Sequence, residues 1–171
     1  MTKLKDIDLA LMANNPFAET FRIPVNRVTD KRYTVKEGEL KHVSYDMETT
    51  QCVKLFYTPD EICIDGKIKD GTIKTLAKLP MGAKNLLFYV MTHLEVGQDW
   101  IRLNRAHYMQ TYNVGSINSV KKAEDELCLR CLLNQHKVYK DVYWINPKYF
   151  FSGSRVNNFP QAVDVKNIEI K

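Results

Sequence analysis

Nowhere in this 171-residue chain does an apolar run approach the ~20 residues that a membrane-crossing helix requires. The opening "MTKLKDIDLALMANN" sets acidic residues inside its short apolar stretch, which is not the pattern of a signal peptide. These two absences predict a soluble, intracellular protein with no membrane partner. Internal repeats and low-complexity segments are missing too, and catalytic signatures are equally scarce. The 4 histidines, at positions 42, 93, 107 and 136, form no His-x-His and no HExxH, and no Gly-rich GKS loop could cradle a nucleotide. A rolling-circle initiator needs a metal-binding His-hydrophobe-His beside its nucleophilic tyrosine, so the 9 tyrosines do not carry that chemistry. His93 and His107 read as satisfied polar or boundary residues. The expectation is a non-enzymatic chain with no cofactor and no bound metal.

Cysteine is sparse, with Cys52, Cys63, Cys128 and Cys131 only. The close pair lies in "DELCLRCLL", which has helical periodicity and lacks the Gly or Pro of a zinc knuckle. Thiols at i and i+3 share one helix stripe, and free cysteine is among the most buried residue types. CxxC is also a ligand spacing that Cys52, Cys63 or His136 could complete, so a zinc site stands as the competing reading.

What is present suits one globular domain with a sizeable core: 44% hydrophobic and 26% charged residues. Of the net charge of +5, residues 1–81 hold thirteen basic and twelve acidic side chains, residues 82–155 ten and six, and residues 156–171 two and two. The excess falls in one segment, which favours a polyanionic partner for that segment.

Along the chain, residues 1–37 have little periodicity and read as an N-terminal arm. Residues 38–78 alternate with period two: "KHVSYDME" and "CVKLFYT" flank "TTQ" as a hairpin, and "EICIDGKIK" turns at Asp65-Gly66. That segment is expected to be a small antiparallel β layer. After Pro80, "MGAKNLLFYVMTHLEV" places Ala83, Leu86, Leu87, Val90, Met91 and Leu94 on one helix face. "DWIRLN" reads as a short strand ending at Asn104, a helix cap for "RAHYMQTYN". Asn113-Val114-Gly115 breaks that helix with a residue tolerant of left-handed geometry, and Ser116 caps the next. The stripe of this second helix is Ile117, Val120, Ala123, Leu127 and Cys131. "HKVY" and "VYWIN" then flank Lys140-Asp141 as a hairpin spanning 136–146, whose second strand pairs beside residues 101–103. Asn146-Pro147 ends the ladder because proline offers no donor, and "PKYFFSGSR" closes over the edge with Gly153 allowing the turn. The predicted class is α+β: a winged helix-turn-helix over residues 79–155, the β layer before it, and a tail over 156–171.

Asn146, Pro147, Phe150, Phe151 and Gly153 match an "NP-x-x-F-F-x-G" sequence after the wing, and here the chain resembles the RepL family of plasmid replication initiators. "KLFYTPDEI", "GAKNLLFYVMTHL" and "IRLNRAHYMQTYNVGSINSVKKAEDEL" extend the similarity over about residues 53–155. The resemblance implies a plasmid or phage protein that binds an origin in double-stranded DNA and recruits host replication proteins.

In a helix-turn-helix the second helix meets base edges with its N-terminal residues, here Ser116, Asn118, Ser119, Lys121 and Lys122. Asn suits adenine, Lys suits guanine or phosphate, and Ser suits either. Arg102, Arg105, Lys137, Lys140 and Arg155 are the candidates for phosphate contact. Glu124, Asp125 and Glu126 offset Lys121, Lys122 and Arg130, leaving residues 116–131 neutral, which weighs against a DNA-facing helix. A palindromic site would call for a homodimer. The contrasting expectation is a winged helix turned to protein contacts, such as a virion-associated or assembly component, with "DVKNIEIK" adding to a neighbour's sheet edge.

Overall fold

A computed structural model describes residues 7–12, 14–30, 53–62 and 68–170. It is an α+β structure with small sheets around a helical centre. Pro80 opens the first long helix, α2 (Met81–His93), preceded by a short α1 (Thr72–Ala77). A proline immediately before a helix sacrifices nothing, because the first helical N–H groups have no intrahelical partner. The α2 face carrying Ala83, Leu86, Leu87, Tyr89 and Val90 is buried, as the periodicity requires, with Leu94 buried just beyond it.

Asn104 and Ser116 act as the expected caps. The Asn104 side chain accepts from His107 N at 3.1 Å to start α3 (Arg105–Thr111). Ser116 Oγ accepts from Asn118 N at 3.2 Å to start α4 (Ile117–Leu129). Between them Asn113 takes the left-handed turn at φ 51°, a conformation asparagine tolerates better than most residues. The buried stripe of α4 differs from expectation. It consists of Val120, Ala123, Glu124 and Leu127, while Ile117 and Cys131 are exposed. The helix ends at Leu129, and Cys131 adopts φ 55°. Leu132 N then reaches Leu127 O at 3.0 Å and Cys131 N reaches Cys128 O at 2.9 Å. This pair of bonds is a Schellman cap with cysteine where glycine usually stands.

β5 (Trp100–Arg102), β6 (Leu133–Gln135) and β7 (Val142–Ile145) form an antiparallel sheet in the order β5-β7-β6, with Ile101 opposite Tyr143 and Leu133 opposite Ile145. The hairpin therefore begins earlier than residue 136. "HKVY" is its turn and not a strand, because His136 Nδ1 accepts from both Val138 N and Tyr139 N, at 3.2 and 3.1 Å, and bends the chain. β7 is buried on both faces, which explains its unbroken apolar run. Tyr143 and Ile145 join the helical core. Val142 and Trp144 meet Met12 and Phe17 from the N-terminal segment. Asn15 fastens that segment by donating to Ile145 O at 3.1 Å, and Asp8 N donates to the Tyr139 hydroxyl at 3.0 Å.

Beyond β7, Asn146 caps the ladder as expected: its N–H reaches Leu132 O and its side-chain amide reaches Cys131 O at 2.7 Å. The closing stretch then forms β8 (Phe150–Ser152), paired antiparallel with β2 (Val53–Leu55). The expected partner of residues 53–55, "KHVSYDME", lies outside the described residues. The pairing follows from Phe150 and Phe151, whose complete burial demands a cover. β3 (Glu61–Ile62) and β4 (Ile68–Lys69) are antiparallel as anticipated, with Asp65-Gly66 outside the described residues. Gly153 turns at φ 101° into α5 (Arg155–Asn158).

β1 (Ile23–Asp30) pairs in parallel with β9 (Val163–Ile170) over their whole length. The strand-like C-terminus thus finds a partner strand within its own chain. Phe21, Phe159 and Ala162, from the segments expected to be arm and tail, belong to the same core as α2 and α4.

Candidate nucleic-acid interface

The first two turns of α4 are its most open part. Ser116, Asn118, Ser119, Lys121 and Lys122 are all exposed, because Val120 and Ala123 occupy the inward side of the same turns. The acidic run beside them is divided by direction. Glu124 lies on the Val120–Leu127 stripe and points inward, only 4% exposed. Arg105 Nε donates to its Oε1 at 2.6 Å, Arg105 Nη2 to its Oε2 at 3.0 Å, and the Tyr143 hydroxyl to Oε2 at 2.9 Å. Glu126 is held by Arg130 Nε at 2.7 Å, one helical turn on. Asp125 is left as the exposed acid of the run.

This arrangement alters the roles of several candidates. Arg105, expected on phosphate, is spent on Glu124 and on Lys140 O at 3.1 Å. Its hydrogen bond to Glu124 raises its pKa further above the ordinary guanidinium value. Tyr143 is pushed well above the usual phenol range, first by burial and then by the Glu124 charge. It remains a neutral donor, and the three side chains bind α3, α4 and β7 into one unit. Gln135 closes the group by donating to Lys140 O at 2.8 Å, so the hairpin tip is anchored from two sides. Arg102 is also engaged, its Nε 2.6 Å from Asp141 Oδ2.

Lys137 and Lys140 are exposed on the hairpin turn. Arg155 stands apart from both α4 and the hairpin. Its guanidinium lies 3.3 Å from the centroid of the Phe56 ring and donates to Pro147 O at 2.9 Å, against β2 and the β7 exit. The structure therefore brings together Ser116, Asn118, Ser119, Lys121 and Lys122 on one helix. It assigns Arg102 and Arg105 to internal ion pairs, and removes Arg155 to another place. Sequence reasoning missed Glu124, Gln135 and Tyr143 as determinants. The spacing of Glu124, four after Val120 and three before Leu127, was the available signal for its burial.

His136 and the cysteines do not converge. His136 uses Nδ1 as an acceptor, and its Nε2 lies 3.3 Å from Leu11 O, while Cys131 is exposed beyond the end of α4. Cys128 is half-buried, and burial raises its thiol pKa. Among the described residues no group of three or more His, Cys, Asp or Glu is placed to hold a metal ion; Cys52 and Cys63 lie outside them. Among the described residues, no helix is long and apolar enough to cross a membrane.

No protein-family model, no curated protein and no solved structure matches this chain.

Proposed function

We propose that this protein binds double-stranded DNA through a winged helix-turn-helix formed by α2 to β7, with α4 in the major groove and the β6–β7 turn on the adjacent backbone. The element order, helix, strand, helix, helix and ribbon, supports the reading, as does the first strand lying beside the ribbon's second. The observation that carries it is the inward turn of Glu124. With Glu124 neutralised by Arg105 and Glu126 by Arg130, the exposed face of α4 keeps Lys121 and Lys122 against Asp125. The apparent neutrality of residues 116–131 then no longer argues against a polyanion. Asn118 and Ser119 supply the groups suited to base edges, and Lys137 and Lys140 those suited to phosphate. The resemblance to plasmid replication initiators supports an origin as the target and host replication proteins as later partners.

Fluorescence anisotropy with random duplex DNA across a salt series tests this. Affinity should fall steeply with salt, and the Lys121→Ala/Lys122→Ala variant should lose about two units of log–log slope, one per phosphate contact. Absence of binding at low salt defeats the proposal. A protein-binding module is the second reading. It is favoured by an apolar hollow of about 390 Å³ lined by Val53, Phe88, Met91, Thr92 and Leu94, with Phe88 57% exposed.

A further inference from the structure

A separate cleft of about 570 Å³ takes its lining from Phe56, Tyr57 and Thr58 just after β2, from β3–β4, from the segment leading into β1, from the exit from β7 and from Arg155 at the start of α5. None of its lining residues belongs to α3, α4 or the β6–β7 turn. Its volume falls in the range of small-ligand sites. Arg155 is the central group. The guanidinium rests on Phe56 at 3.3 Å with Phe21 at 6.0 Å, and gives an N–H to Pro147 O. Among the described residues no carboxylate forms an ion pair with it. A half-buried guanidinium forfeits hydration that an anion would restore, and its planar fork suits phosphate.

The rim extends that logic. Arg22, Lys69 and Lys148 line the same cleft, against Glu19 and Glu61; with Arg155 that makes four cations to two carboxylates among the described residues. Glu61 is already engaged, 3.8 Å from Lys148 and directly across the strand pair from Lys69. Tyr57 lines the cleft with 71% of its surface exposed, a large ring with a free face. An unpaired guanidinium, flanking lysines and an open aromatic ring are the elements that hold a phosphate and stack a base. We infer that this cleft binds a nucleotide, with Arg155 and Lys69 on its phosphate and Tyr57 against its base, as a site distinct from the α4 surface. The nucleotide is either a free monophosphate or one residue of a single strand.

Isothermal titration of the full chain at low salt decides the matter, using thymidine monophosphate, a thymidine octamer strand, inorganic phosphate and thymidine as separate probes. The monophosphate or the octamer should bind at least tenfold more tightly than phosphate or thymidine alone. The tighter of the two identifies the source. Tyr57→Ala should weaken that binding about tenfold, the lower part of the stacking range, and Lys69→Gln severalfold. Both side chains are exposed, so thermal melts of the variants should match the parent. Duplex affinity, governed by Lys121 and Lys122, should not move in either variant. Failure of both nucleotide probes to bind, equal binding of phosphate alone, or affinity unmoved by both variants overturns the inference. Loss of duplex binding with the cleft intact overturns only the α4 reading.

Discussion

Glu124→Ala is the substitution on which the architecture makes its sharpest demand. The native carboxylate accepts two hydrogen bonds from Arg105 and one from Tyr143, at 2.6, 3.0 and 2.9 Å, with its side chain 6% and that of Arg105 25% exposed. Truncation strands a guanidinium that is three-quarters covered and a buried phenol with no acceptor. Breaking a buried pair from one side costs about 3–5 kcal/mol, and the residual water access of Arg105 points to the lower end, about 3 kcal/mol. For a chain of this length that corresponds to a fall in Tm of roughly 6–12 °C. Removing both partners should cost less than the sum of the single changes, with a coupling of about 2 kcal/mol in a double-mutant cycle with Arg105→Ala. Because Arg105 also holds Lys140 O, amide hydrogen exchange at the β6–β7 turn should accelerate in the single variant. Chemical denaturation of the four proteins supplies the cycle. A loss below about 0.5 kcal/mol, or strict additivity, would refute the claim that the inward Glu124 is a buried, paired charge.

Two further outcomes are expected. Cys131→Gly should stabilise the protein by about 1 kcal/mol, since an exposed residue at φ 55° gains nothing from its Cβ, and urea denaturation will show whether the midpoint rises. Asp99 has its pKa raised by burial, which outweighs its hydrogen bond with Asn15. The sign follows: a carboxylate raised in the folded state detracts from stability once it ionises. Stability should therefore decline as pH climbs from about 4, the ordinary Asp value, through the raised one. Asp99→Asn should flatten that portion of a stability–pH profile, and an unchanged profile would contradict the assignment.

The helical centre was legible because its signals are local. Leu86 and Val90 repeat at the helical period, and Asn104 and Ser116 need only their own following amides to act as caps. Although the hairpin's first strand is residues 133–135 and not 136–139, the β5-β7 pairing was legible too, within one residue on β5, since a hairpin next to a short strand leaves few arrangements. The turn after β6 was not. His136 draws it tight through its ring nitrogen, and a histidine carries no turn signature in a sequence. For the candidate interface, the polar residues at the start of α4 were readable, but their electrostatic setting was not. A list of charges does not say that Glu124 faces inward while Lys121 faces out.

By itself, then, the sequence determined where α2, α3 and α4 begin, which face α2 buries and which polar residues the start of α4 offers to solvent. Hydrogen bonds within a few residues and a 3.6-residue period are enough for that. Tertiary structure alone decided that β1 meets β9 across more than a hundred residues, that β2 pairs with β8, and that Arg105 is consumed inside while Arg155 lies on Phe56 in a cleft with no carboxylate partner among the described residues. Those outcomes depend on which distant groups arrive at the same buried place. Desolvation rewards such a meeting only after the chain has closed around it, so no local pattern records it in advance.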